Sequence, residues 1–338
     1  MKTIIVDPFP RKMELIFKSS KLKLLKKNFN IINAPKENKH KFYKQNIPNA
    51  DFIIGQPDLP KSILILGKKL KAIFNVESNF MDNMDYDYCF NNNIYVLSTA
   101  PVFAQSVAEI AIGLTISLKR EIHTAHLDFI QKKEKYGLES NKRSSLLHNN
   151  KIGIVGFGDL AKSLKPMLVP YTSDFQVYDP WLPNKLIEEN GCKPASLGKI
   201  FKNCEVIYIL TTITKKNKNM IDEKLLRLMK KDACLIILSR ANVINFQDLN
   251  KILKKGKIKV ATDVFPQEPV PKNDPIRRQK NILFSSHRAG ALNSVFFEMG
   301  EIVYEDLNLI TKGLPPKLCR RAELETVKNL RSKPVVIN

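Results

Sequence analysis

KIGIVGFGDLA, residues 151–161, decides the reading of this chain. A short β-branched run, IGIV, meets Gly156, Gly158 and Ala161 in the spacing GxGxxA, and the residues that follow have helical periodicity. That order fits a strand, a tight turn and a helix whose first amides face an anion. Gly156 suits the turn, Gly158 leaves room for a pyrophosphate, and Ala161 lets the helix approach the sheet. The free amides and positive dipole end of the helix then favour a dianion. Asp159 sits within this loop, where its charge complements the dipole but opposes a bound anion. The next strand, FQVYD, ends on Asp179, about 20 residues on, where an acid accepts hydrogen bonds from a ribose and repels a 2′-phosphate. The pair therefore points to NAD rather than NADP.

Outward from this loop, the alternation continues through EVIYIL, CLIILS, KVATDV and NILFSS, giving six strands with helices between them. A second, smaller alternation occupies the first hundred residues, with strands expected at 3–7, 30–34, 50–55, 71–76 and 94–98. A buried helical stretch is expected from about Phe103 to His126, and an amphipathic helix from about Ser294 to Lys312 followed by a basic tail, RSKPVVIN. The fold class is α/β. At 338 residues and 43% hydrophobic, the chain has the length of two domains.

The formal net charge is +22, but lysine is scattered along the whole chain, and no stretch interleaves basic residues with aromatics. This disfavours a nucleic-acid surface. The five cysteines form no CxxC pair, so neither a disulfide framework nor a zinc site is indicated, and His123 and His126 lack a third ligand. No metal is expected. The start, MKTIIVDPFP, lacks a signal core, and Val107 to Leu118 is interrupted by Glu109, so a cytoplasmic protein without membrane contact is expected.

Three late segments carry candidate chemistry: LSRAN with Ser239 and Arg240, ATDVFPQEP with Asp263 and Glu268, and SSHRAG with His287. Each follows a strand, at the end where open α/β sheets bind ligands. Hydride transfer from a secondary alcohol needs a base for the hydroxyl proton, which suits His287. It needs a cation for a carboxylate, which suits Arg240. Glu268 suits a third role, accepting a bond from the imidazole and favouring its charged form.

SVAEIAIGL, KIGIVGFGDLA, VYDP, KNMIDEKLLRLMKKDACLIILSRANVI, ATDVFPQEPVP and SSHRAG together resemble the D-isomer-specific 2-hydroxyacid dehydrogenase family. The resemblance implies a Rossmann cofactor domain at 101–291 and a smaller flavodoxin-like substrate domain built from 1–100 and 292–338. It implies Arg240, Glu268 and His287 as the catalytic set, with Asp263 at the nicotinamide carboxamide. Gly156, Phe157, Gly158, Asp159, Leu160, Asp179, Thr212 and Ser239 complete the expected NAD contacts. A homodimer formed through the cofactor domain is implied as well.

Two stretches depart from the family pattern. Where relatives carry a Gly-x-Gly loop that helps bind the substrate carboxylate, this chain has Glu77, Ser78 and Asn79 within NVESNFMDNMD, and a carboxylate there would repel an acid if it faced it. These three are candidate substrate contacts together with Arg240. ILTTIT replaces a His-x-Pro turn, leaving Thr212 as a hydrogen-bond donor. The leading expectation is interconversion of a D-2-hydroxy acid and its 2-keto acid, with a larger or amino-bearing acid favoured over lactate or glycerate. The alternatives are oxidation of a phosphite-like substrate and an NAD-sensing regulatory role on the same fold.

Overall fold

The computed structural model describes residues 1–214 and 216–327, so the tail RSKPVVIN lies outside the described residues. The chain forms two compact units, Met1–Phe103 with Ala291–Asn338, and Ala104–Gly290.

The first unit is an open sheet of β1 (Lys2–Asp7), β2 (Phe29–Asn33), β3 (Phe52–Gly55), β4 (Ala72–Asn75) and β5 (Tyr95–Ser98), joined by a late strand whose range is given below. Each of the five matches an expected run. β1, β3, β4 and β5 consist almost wholly of buried residues, as parallel strands covered on both faces must. All pairings among the five are parallel, and the sheet turns in opposite directions from β1, to β2 on one side and to β3 on the other. Such a reversal opens a crevice at the carboxyl ends of the strands. Gly55 stands at this point with φ +141°, and a Cβ there would lie 1.9 Å from the Asp7 carbonyl oxygen, so only glycine lets the two strand ends close up.

The second unit holds β6 (Ile152–Val155), β7 (Phe175–Tyr178), β8 (Lys193–Pro194), β9 (Val206–Ile209), β10 (Cys234–Ile237), β11 (Lys259–Thr262) and β12 (Ile282–Phe284). They lie in the order β12-β11-β10-β9-β6-β7-β8, all parallel, which is the doubly wound Rossmann arrangement with one strand more than the six expected. The extra strand, β8, spans only two residues, too few for a hydrophobic run to announce it. The remaining strand, β13 (Arg320–Arg321), pairs antiparallel with β5 in the first unit. Buried Asp306 fixes that return, accepting hydrogen bonds from the amides of Lys317, Leu318 and Cys319.

The single helix expected from Phe103 to His126 is two, Ala104–Arg120 and Ile122–Ile130, because Glu121 adopts a left-handed φ of 53° and ends the first. With the turn before it, the first is long and apolar enough to cross a membrane, although Glu109 had suggested otherwise. In the second unit it packs on the helix Asp159–Leu168 and on β10 and β11. Thr115, fully buried, shares a 2.8 Å hydrogen bond with the Tyr208 hydroxyl. These are the contacts of a core helix.

Candidate active site

The glycine loop takes the conformation its spacing requires. Gly156 has φ +91°, and a Cβ there would come within 2.6 Å of the Thr211 backbone, so the position admits only glycine. Its amide donates to the Tyr178 carbonyl at 2.8 Å, which ties the turn to the end of β7. Gly158 caps the helix Asp159–Leu168, and Ala161 is fully buried beneath it. Amides in the first turn of a helix have no intrahelical acceptor, so Asp159 and Leu160 stand at an anion-binding end.

Asp179 does more than end β7. Its Oδ2 accepts from the Phe157 amide at 2.8 Å and its Oδ1 from the Trp181 amide at 2.9 Å, so the carboxylate holds the glycine loop in place while keeping lone pairs for further donors. Phe157 thus spends its amide on Asp179 and buries its ring. Thr212 Oγ1 is buried with no hydrogen-bond partner among the described residues, an orphan that a ligand donor or acceptor would satisfy. The glycine cradle, the helix end, the ribose-type acceptor and this orphan together fit a dinucleotide.

The catalytic candidates cluster at the carboxyl ends of β10, β11 and β12. Ser239 donates to the Ile209 carbonyl at 3.2 Å, and the guanidinium of Arg240, partly exposed, donates to the Ser239 carbonyl at 2.8 Å. His287 Nδ1 lies 2.5 Å from Glu268 Oε2, and Glu268 Oε1 accepts the Phe265 amide at 2.8 Å. Burial pushes the Glu268 carboxyl up, but hydrogen bonds from His287 and Phe265, with the charges of His287 and Arg240, outweigh it and leave it below its ordinary value. An ionised carboxylate only accepts, so Nδ1 carries a proton and Nε2 is left for substrate. The imidazole is about one third exposed, open on one side and held on the other.

Asp263 is a buried strut. Its Oδ1 accepts from Ser285 Oγ at 2.5 Å and the Arg288 amide at 3.0 Å, and its Oδ2 from the Ala289 amide at 3.1 Å. Its carbonyl accepts the His287 amide at 2.7 Å. His287 itself has φ +51°, a conformation that costs a non-glycine residue about 1–3 kcal/mol and persists only where neighbours over-determine it. Four hydrogen bonds to Asp263 supply that constraint. The sequence reading missed this bracing, although Ser285 and Arg288 stand inside the SSHRAG motif.

Glu77, Ser78 and Asn79 follow β4 after one residue, Val76, and are all partly exposed. The Glu77 carbonyl accepts from Ser98 Oγ at 2.9 Å, and its carboxylate pairs with Arg11 Nη2 at 3.1 Å. Composition gave no sign of that partner, 66 residues earlier. Among the described residues no cluster of three or more His, Cys, Asp and Glu side chains is placed to hold a metal.

Comparison with known proteins gives this geometry a family. Residues 112–289 match the model of the D-isomer specific 2-hydroxyacid dehydrogenase, NAD binding domain. The glyoxylate reductase of Thermococcus litoralis is 30% identical over 268 residues, covering 77% of this chain and 80% of that protein. The glyoxylate reductase of Korarchaeum cryptofilum is 28% identical over 242 residues, covering 70% and 72%. A crystal structure of a phosphoglycerate oxidoreductase from Rhizobium etli superposes with a TM-score of 0.87 at 39% identity, covering 96% of this chain and 99% of that one.

Proposed function

From the premise that the chain belongs to the D-isomer specific 2-hydroxyacid dehydrogenase family and is an NAD-dependent oxidoreductase acting on CH–OH groups, we propose that it reduces a 2-keto acid with His287 as the acid. The observation that carries the assignment of roles is the His287–Glu268 hydrogen bond beside Arg240. In reduction, His287 Nε2 gives a proton to the carbonyl oxygen, and Glu268 stabilises the imidazolium that precedes transfer. Arg240 binds the carboxylate and polarises the carbonyl. Oxidation runs the same steps in reverse. NAD supplies the hydride chemistry when bound.

Gly156, Gly158, Asp159 and Leu160 hold the pyrophosphate in this reading, Asp179 the ribose, and Thr212 and Ser239 the face toward the nicotinamide. Asp263 acts first as the brace of the His287 loop, whatever it also gives to the nicotinamide. The unit containing the amino terminus is the substrate domain, and Glu77, Ser78 and Asn79 meet the acid's variable end. Their side chains replace small backbone donors, which favours an acid larger than lactate.

The assembly is a homodimer through the cofactor domain. Ile122, Leu127, Phe129 and Ile130 on one helix, with Tyr136 and Leu138 beyond it, are exposed, the kind of apolar surface that a second copy covers. A cytoplasmic setting accords with five buried, free cysteines. The test is a panel of 2-keto acids, phosphite and formate, read through the absorbance of NADH, with the chirality of any hydroxy acid determined. A D-hydroxy acid product supports the reading, and activity confined to phosphite or formate overturns it.

A further inference from the structure

The loop after β4 introduces a negative charge where the substrate is an anion, and the structure supplies its answer from another strand end. Arg11 follows β1, and Nε donates to the Val76 carbonyl at 2.8 Å while Nη2 reaches the Glu77 carboxylate at 3.1 Å. The guanidinium carbon lies 4.9 Å from the centre of the Phe296 ring. Both charged side chains are less than one fifth exposed, so this is a pair held in place and partly dehydrated, unlike a mobile surface pair. The segment leading to Arg11 is itself pinned, since Gln56 at the end of β3 donates to the carbonyls of Pro8 at 3.1 Å and Phe9 at 2.6 Å. Three strand ends of the unit thus converge on one arginine, at the sheet reversal where open α/β folds bind ligands.

We propose that Arg11 is a specificity-determining residue, which cancels the Glu77 carboxylate and fixes the backbone at Val76, so that the loop accepts a monoanionic 2-keto acid. The inference rests on the reading that the Glu77–Asn79 loop meets the substrate. Two consequences separate it from a merely structural role. Removing Arg11 exposes the acid to an uncompensated carboxylate, and removing Glu77 leaves an uncompensated guanidinium that attracts a second anionic group on the substrate. Charge cancellation also requires that the two removals offset each other.

The experiment measures kcat and KM for the best monoanionic 2-keto acid of the panel and for oxaloacetate, with NADH binding by fluorescence, in the wild type, Arg11→Gln, Glu77→Gln and the double variant. Arg11→Gln is expected to raise KM for the monoanionic acid about tenfold with kcat within about threefold, and the double variant to recover most of that loss. Glu77→Gln is expected to shift the kcat/KM ratio about tenfold toward oxaloacetate. Arg11→Lys, which keeps the charge and loses the fork, is expected to fall between the wild type and Arg11→Gln. A wild type that reduces neither acid nor any other 2-keto acid, while binding NADH, overturns the dehydrogenase reading and this inference with it. A working wild type whose Arg11→Gln defect is not relieved by Glu77→Gln overturns the inference alone. Should Arg11→Gln fail to fold, Glu77→Gln decides, because it leaves the Val76 bond intact. An unchanged ratio between the two acids then overturns the proposal.

Discussion

His287 Nδ1 stands 2.5 Å from Glu268 Oε2, and the carboxylate is ionised below its ordinary range. One hydrogen bond therefore fixes the tautomer and aims Nε2. Glu268→Gln is expected to lower kcat by about 10²-fold or more, within the range ascribed to a positioned acid or base. Steady-state rates at saturating cofactor check it.

The stability of the fold carries the same signature. Glu268 has its pKa lowered in the folded chain, so its contribution is fully present above the ordinary carboxyl range, near pH 4.3, and is lost as pH falls through the lower folded value. Urea midpoints measured from pH 7 to pH 3 should fall less steeply in Glu268→Gln than in the wild type. Parallel curves would contradict the pairing.

Asp263 accepts from Ser285, Arg288 and Ala289 while 1% exposed. Asp263→Ala strands those donors, and a donor left unpaired in buried surroundings, as at the Ala289 amide, costs about 1–3 kcal/mol. A clear fall in Tm is expected, with loss of turnover even where NADH still binds, because His287 leaves its left-handed conformation. Calorimetry and fluorescence titration test the two halves separately.

At Gly156 the obstacle is steric. Alanine would place a Cβ 2.6 Å from the Thr211 backbone at φ +91°, and backbone cannot step aside as a side-chain tip can. Gly156→Ala is expected to weaken NADH binding by at least about tenfold, a loss of about 1.4 kcal/mol. NADH titration of the purified variant measures it.

All five cysteines are buried and free. Burial pushes the thiols of Cys89 and Cys204 up to about 12 and that of Cys234 to about 11. A thiol reagent should find no fast-reacting group in the native protein at neutral pH and all five after unfolding. A fast thiol in the native protein would contradict the packing.

What the sequence made legible was whatever repeats on a short period. Strand runs such as IGIV and CLII stood out because parallel strands buried on both faces are continuously apolar. The GxGxxA spacing and Asp179 were legible because each residue answers a local geometric demand. β8 was not, being two residues long, and the break at Glu121 was not, because nothing in SLKREIH announces a left-handed residue. The bracing of His287 by Asp263 and the pairing of Glu77 with Arg11 depend on residues 24 and 66 apart, which only the fold brings together. Asp263 had been expected to face the nicotinamide, and its three side-chain bonds give it a prior task.

The most direct test of the central claim is NADH oxidation with the best 2-keto acid of the panel, in the wild type and in His287→Ala under saturating cofactor. If His287 is the acid, kcat falls by about 10²–10⁴-fold while the NADH affinity stays within about threefold of the wild type. Turnover in His287→Ala close to the wild-type rate would contradict the account and move the proton to another group.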